Sequence, residues 1–168
     1  MRVNLQMSFA AAMAFAVSLF ELVPASVLAA PMCNTANRPI EVSATNLAFG
    51  IYSPGSPSPT DSNSTVNVSC ANANDRLPSF TVSLSGGGAG SFNPRKMSFG
   101  TALLSYNMYT TSAYTNIWGD GTSGTSTQSY NANQNQNQIS FTDYGQVPST
   151  QFVTAGNYTD SITVTVTY

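Results

Sequence analysis

Ile162-Thr163-Val164-Thr165-Val166-Thr167-Tyr168 alternates without a fault. One face reads Ile, Val, Val, Tyr and the other is all Thr. Period-two alternation of β-branched residues is a strand with one face in a core and one in water. After Asp160 there is no charge and no proline, and no further segment follows to cover the strand. A strand so apolar on one face, with nothing to blunt its edge, is a template for pairing. The expectation is that another chain supplies its neighbour, by strand addition.

The pattern repeats upstream. Thr65-Val66-Asn67-Val68-Ser69-Cys70, Phe80-Thr81-Val82-Ser83-Leu84 and Leu104-Ser105-Tyr106-Asn107-Met108-Tyr109 alternate in the same way. Ile40-Glu41-Val42 and Leu47-Ala48-Phe49 open the domain, and a further strand lies within Ile139 to Val147. Between them stand turn-formers. Three prolines stiffen Ser53 to Pro59, Gly86 to Gly90 is a flexible connection, and Gly119 to Ser129 is a polar loop. Asn131 to Gln138 (NANQNQNQ) reads as a solvated hairpin loop. About seven short strands separated by turns predict an all-β sandwich.

Composition narrows the function. The 168 residues hold no histidine, 7% charged residues and a net charge of −2. Without histidine there is no Ser-His-Asp or Cys-His catalysis and no His-based metal site. Five basic residues are too few for a nucleic-acid surface. Disorder is excluded by 42% hydrophobic and 11% aromatic residues.

The N-terminus carries an address. Arg2 precedes an apolar run from Met7 to Phe20, Pro24 breaks it, and small residues follow. That run is shorter than the roughly 20 residues that span a bilayer, and it reads as a secretory signal peptide. Val27 and Ala29 suit the positions before the cut, which places cleavage after Ala29, with Ala25 as the alternative. The expected division is a signal peptide over 1–29 and one β-sandwich domain over 30–168, with no membrane span in the mature chain. Loss of Arg2 and Glu21 leaves four basic and six acidic side chains. Cys33 and Cys70, an even count in an exported chain, are expected to form a disulfide.

Six segments in order resemble the spore coat protein U domain family, the subunits and adhesin domains of archaic chaperone–usher pili. They are Leu47-Ala48-Phe49-Gly50-Ile51-Tyr52-Ser53-Pro54 with Asp61; Val66-Asn67-Val68-Ser69-Cys70; Phe92 to Met97; Leu104 to Tyr109; Trp118-Gly119-Asp120-Gly121; and Tyr158-Thr159-Asp160 through Tyr168. The resemblance implies an incomplete immunoglobulin-like sandwich that lacks its final strand and is completed by donor-strand complementation. It implies a periplasmic chaperone that lends a strand, an outer-membrane usher, and neighbouring subunits that replace the chaperone's strand at the cell surface. A polymerising member carries an N-terminal donor extension. Here Ala30-Pro31-Met32 precede Cys33. Three residues reach at most about 10 Å, whereas a ten-residue strand needs about 33 Å. The chain is therefore expected to accept a strand but not to donate one, as a tip or terminal subunit, or as a coat protein that never polymerises.

The docking groove is expected between the last strand (Ile162, Val164, Val166, Tyr168) and the first (Ile40, Val42). Trp118, the sole tryptophan, is expected to cap the core, with a ligand contact as the competing role. Arg95-Lys96 reads as a salt bridge or solvated turn. The carboxylates Glu41, Asp61, Asp75, Asp120, Asp143 and Asp160 are scattered, and neither a calcium site nor a glycosidase pair follows from their spacing. No cofactor is expected. The reading is a non-enzymatic secreted structural subunit. The alternative is a carbohydrate-binding adhesin domain, its contacts drawn from Trp118, Tyr114 and Tyr130.

Overall fold

The computed structural model describes residues 30–168. The expected signal peptide lies outside the described residues. Eight strands run in chain order: β1 Ile40–Ala44, β2 Thr60–Cys70, β3 Phe80–Leu84, β4 Arg95–Phe99, β5 Ala102–Tyr109, β6 Gln128–Tyr130, β7 Gln138–Val147 and β8 Val164–Thr167. They form two antiparallel layers, a five-stranded sheet in the order β1-β2-β7-β5-β4 and a three-stranded sheet in the order β6-β3-β8. This is the expected immunoglobulin-like sandwich.

Alternation places the core. Val66, Val68 and Cys70 on β2, Val82 and Leu84 on β3, and Leu104, Tyr106 and Met108 on β5 point between the sheets and are buried. Trp118 fills the middle. It is 0% exposed, its Nε1 donates to the Val82 carbonyl at 3.1 Å, and its ring meets Phe141 edge-on. The expected capping role holds. A surface contact through Trp118 does not, because the ring and its N–H are both satisfied inside. Tyr130 is likewise buried, against Phe80.

Arg95 is a second correction. The side chain is wholly buried rather than solvated. Its Nε and Nη2 donate to the Ser85 carbonyl at 3.0 and 2.9 Å, Nη2 also to the Trp118 carbonyl at 2.7 Å, and Nη1 to Asn107 Oδ1 at 2.9 Å. Burial lowers its pKa, and the surrounding Tyr106, Asp143 and Asp160 oppose that. The fork thus staples β4 in one sheet to the end of β3 in the other. A flexible ammonium could not make these four bonds at once.

The Asn/Gln tract is not a hairpin. It holds a 3-10 turn, Ala132–Gln134, capped by the Asn131 side chain, and carries the chain from β6 in one sheet to β7 in the other. The disulfide Cys33–Cys70 is formed, with Cα atoms 5.7 Å apart. It ties the segment before β1, rather than β1 itself, to the end of β2.

Candidate functional site: an open groove between the two sheets

β8 pairs with β3 along one side, Leu84↔Val164 to Thr81↔Thr167, and with no described strand along the other. β1 pairs with β2 and is likewise an outer strand. These two free edges belong to opposite sheets, and the space between them is not filled. Ile162, Val164 and Val166 turn inward yet stay half-buried. On β1, Val42 stands opposite buried Val68 and still remains 45% exposed. An inward-facing valine this open means that the layer is short of one neighbour.

A groove of about 430 Å³ lies there. Ala44 and Thr45 form one rim, Ile162 and Val164 the other, and Leu84, Tyr106 and Met108 the floor. A second groove of about 530 Å³ continues it between residues 47–54 and 153–158. Leu47, Phe49, Met97 and Tyr158 line both, so the two run end to end.

Local sequence explains each wall. Leu47 and Phe49 follow β1 out of step with its inward residues Ile40, Val42 and Ala44, and lie on β7 over Gly145. A Cβ on that glycine would stand 2.6 Å from Leu47 Cδ2 and 2.9 Å from Phe49 Cζ, so any side chain there would push both away from the sheet. Phe49 also meets Tyr106 edge-on, with centroids 5.9 Å apart. Asp160 secures the entry to β8. It accepts from the Tyr106 hydroxyl at 2.8 Å and from the Gly88 and Ser161 amides at 2.7 and 2.8 Å. Burial, joined by this carboxylate, pushes the Tyr106 hydroxyl far above the ordinary tyrosine pKa. Tyr106 stays a neutral donor, and the groove floor carries no phenolate.

Of the residues expected to edge the groove, Ile162 and Val164 line it. Val166 and Ile40 pack on the core farther along, and Val42 sits exposed on β1. Tyr168 lies past the end of β8 and is 61% exposed, so the inward face stops at Val166. Leu47, Phe49, Met97, Tyr106 and Tyr158 were not expected there. Their signal was available, since Leu47-Ala48-Phe49 alternates just as a strand wall should. Among the described residues no three His, Cys, Asp or Glu side chains gather to hold a metal ion.

A sequence family described as the Spore Coat Protein U domain matches residues 19–165. Among solved structures, the chain is similar to one in the crystal structure of the CsuC-CsuE chaperone-tip adhesion subunit pre-assembly complex from archaic chaperone-usher Csu pili of Acinetobacter baumannii. The TM-score is 0.50 and the identity 22%, over 78% of this chain and 40% of that one. At that identity the likeness is one of fold. The chain spans 40% of that relative's length. No curated protein matches it. Because the family match runs over most of the sequence, the chain belongs to the spore coat protein U domain family.

Proposed function

We propose that the chain is a non-enzymatic structural subunit of a pilus or spore-coat-like surface assembly, and that it works by accepting a β-strand in the groove between β1 and β8. A periplasmic chaperone lends that strand during export, and a neighbouring subunit replaces it when an outer-membrane usher assembles the fibre. The observation that carries the reading is the free edge of β8, with apolar side chains turned inward over an open core. Family membership supports it. So does the similar solved structure, that of a chaperone bound to a tip adhesion subunit. An inserted strand would pair with the free N–H and C=O groups of β8 and place alternate side chains on the floor.

Within this reading residues 1–29 are the export signal and residues 30–168 the assembled domain at the cell surface. A tip or terminal place fits the first residues of that domain. Arg76 holds them: its amide donates to the Pro31 carbonyl at 2.9 Å and its Nε to the Ala30 carbonyl at 2.9 Å, while the Cys33 amide donates to the Arg76 carbonyl. Residues bound this way to their own domain are poor material for a donor strand.

The test compares neighbours on β8. Val164→Asp puts a carboxylate into the apolar groove, at a cost of several kcal/mol unless it protonates. Thr165→Ser lies on the opposite, exposed face. Co-purification with the cognate chaperone should be lost for the first and kept for the second. Equal behaviour of the two would overturn β8 as the docking edge.

A further inference from the structure

The outer face of the five-stranded sheet, turned away from the groove, carries a cluster that strand addition does not use. Tyr109 on β5 stands in register with Tyr144 on β7, and Tyr144 with Asn63 on β2. Two residues on, Asp61 pairs with Gln146, whose Nε2 donates to Asp61 Oδ1 at 2.9 Å. The third aromatic position comes from the turn after β5. The chain folds back there, with the Thr110 amide donating to the Asn116 carbonyl and the Tyr114 amide to the Thr111 carbonyl. This brings the Tyr114 ring edge-on to Tyr109, with centroids 5.5 Å apart. Tyr114 is of intermediate exposure, and its contact with Tyr109 sets the ring over the sheet; partial burial, then the Asp61 carboxylate, then Tyr144 raise its hydroxyl pKa.

Tyr114 holds this place in a left-handed backbone conformation, φ 53°. A bulky residue there is strained, and glycine would relieve it. Stability therefore does not ask for a tyrosine at this position. Strain of this kind gathers at binding sites. The three tyrosines and Gln146 are half-buried, and Asp61 and Asn63 are exposed. Tyr109, Tyr144 and Asn63 make a row across β5, β7 and β2, Tyr114 stands edge-on to Tyr109 as a wall from the turn, and Asp61 and Gln146 put hydrogen-bonding groups at the side.

We propose that this face binds a β-1,4-linked glycan chain. Such chains are flat ribbons whose sugar rings present an apolar C–H face for stacking on aromatic rings and equatorial hydroxyls at the rim. The Asp61 carboxylate accepts from those hydroxyls, and the Asn63 and Gln146 carboxamides donate and accept. Net charge on the cluster is low, which suits a neutral ligand. The site is independent of the strand-addition reading, because it faces the other side of the sheet. It also gives an adhesin role a surface that buried Trp118 cannot supply.

The mature, disulfide-bonded chain, purified alone or with a partner strand, is titrated with cellohexaose, chitohexaose and the α-linked maltohexaose by calorimetry. Binding of either β-linked hexamer, with maltohexaose at least tenfold weaker, is expected, and the arm that binds names the source. Tyr144→Ala and Tyr114→Gly should each weaken that binding at least tenfold, and Tyr114→Gly should do so with the melting temperature unchanged or raised. Failure of both β-linked hexamers to bind, equal binding of maltohexaose, or binding untouched by the two variants overturns the proposal.

Discussion

Asp143 is buried completely on β7, opposite Ser64, whose hydroxyl donates to its Oδ2 at 3.1 Å, while Oδ1 has no partner among the described residues. Burial pushes its pKa up from 3.8 to about 6, against the pull of Ser64 and Arg95. A folded-state pKa above the unfolded value means that the folded protein binds the extra proton between pH 4 and 6. The carboxylate therefore costs stability at neutral pH, on the order of 3 kcal/mol for a rise from 3.8 to about 6. That cost disappears as pH falls through 6 toward 4. Asp143→Asn should raise neutral-pH stability and flatten this slope. Urea unfolding of the strand-completed protein at pH 7 and pH 5 measures both, and an unchanged slope in the variant would show that another group carries it. Arg95 is the opposite kind of buried charge, with every bond made to neutral oxygens. It owes its place to the Ser85 carbonyl just past β3 and the Trp118 carbonyl in the connection from β5 to β6, which no local reading of Arg95-Lys96 contains.

At the scale of the element, β8 was legible because period two is its whole content, whereas Leu47-Ala48-Phe49 shares that period but lies in no strand, its neighbour being side chains packed on β7 and not a paired backbone. The other strands were not equally so. β4 reads Arg-Lys-Met-Ser-Phe and β6 Gln-Ser-Tyr, neither with the β-branched alternation of a free-standing strand. They become strands because β5 and β3 offer them partners. Tertiary pairing overrides weak local preference in just such edge positions. Gly145 on β7 belongs to the same scale. Gly145→Val would drive Leu47 and Phe49 off the sheet and close the groove wall from within. The expected cost is about 1–3 kcal/mol of stability, together with weaker capture of a donor peptide in a pull-down. Retained stability with normal capture would mean that the 45–50 segment has another resting place.

For the whole molecule, the open groove sets the stability. Filling it with about five apolar side chains, at about 2 kcal/mol each, contributes on the order of 10 kcal/mol, comparable with the net stability of a domain. The chain purified without a partner should therefore aggregate or melt broadly, and a synthetic donor strand should convert it to a monodisperse species with a sharp, higher transition. Light scattering and calorimetry with and without peptide decide this, and a cooperatively melting monomer without any partner would count against an unfilled groove. The disulfide acts on the other side of the balance. Closing a loop of 37 residues restricts the unfolded chain by about 4 kcal/mol in the chain-entropy account, which favours the folded sandwich whether or not the groove is filled.

Sequence alone determined the class of this protein. Alternation in the later strands, turn-formers between them and two cysteines point to a stapled β-sandwich, and the apolar face of the last strand is what motivates the proposed strand partner. These are one-dimensional properties, since side-chain period and edge chemistry can be counted along the chain. Where residues far apart in the chain meet is settled by the packed fold. It sent Trp118 inward, turned Arg95 into a staple between sheets and carried the Asn/Gln tract across the sandwich. It also moved the groove wall from Ile40 and Val42 to Leu47 and Phe49 and brought three tyrosines from separate segments to one face. Each of those outcomes depends on which strand lies beside which. Strand neighbours here are mostly distant in sequence, β2 with β7 and β3 with β8, so the choice is made by packing and pairing of the whole chain rather than by any window of it.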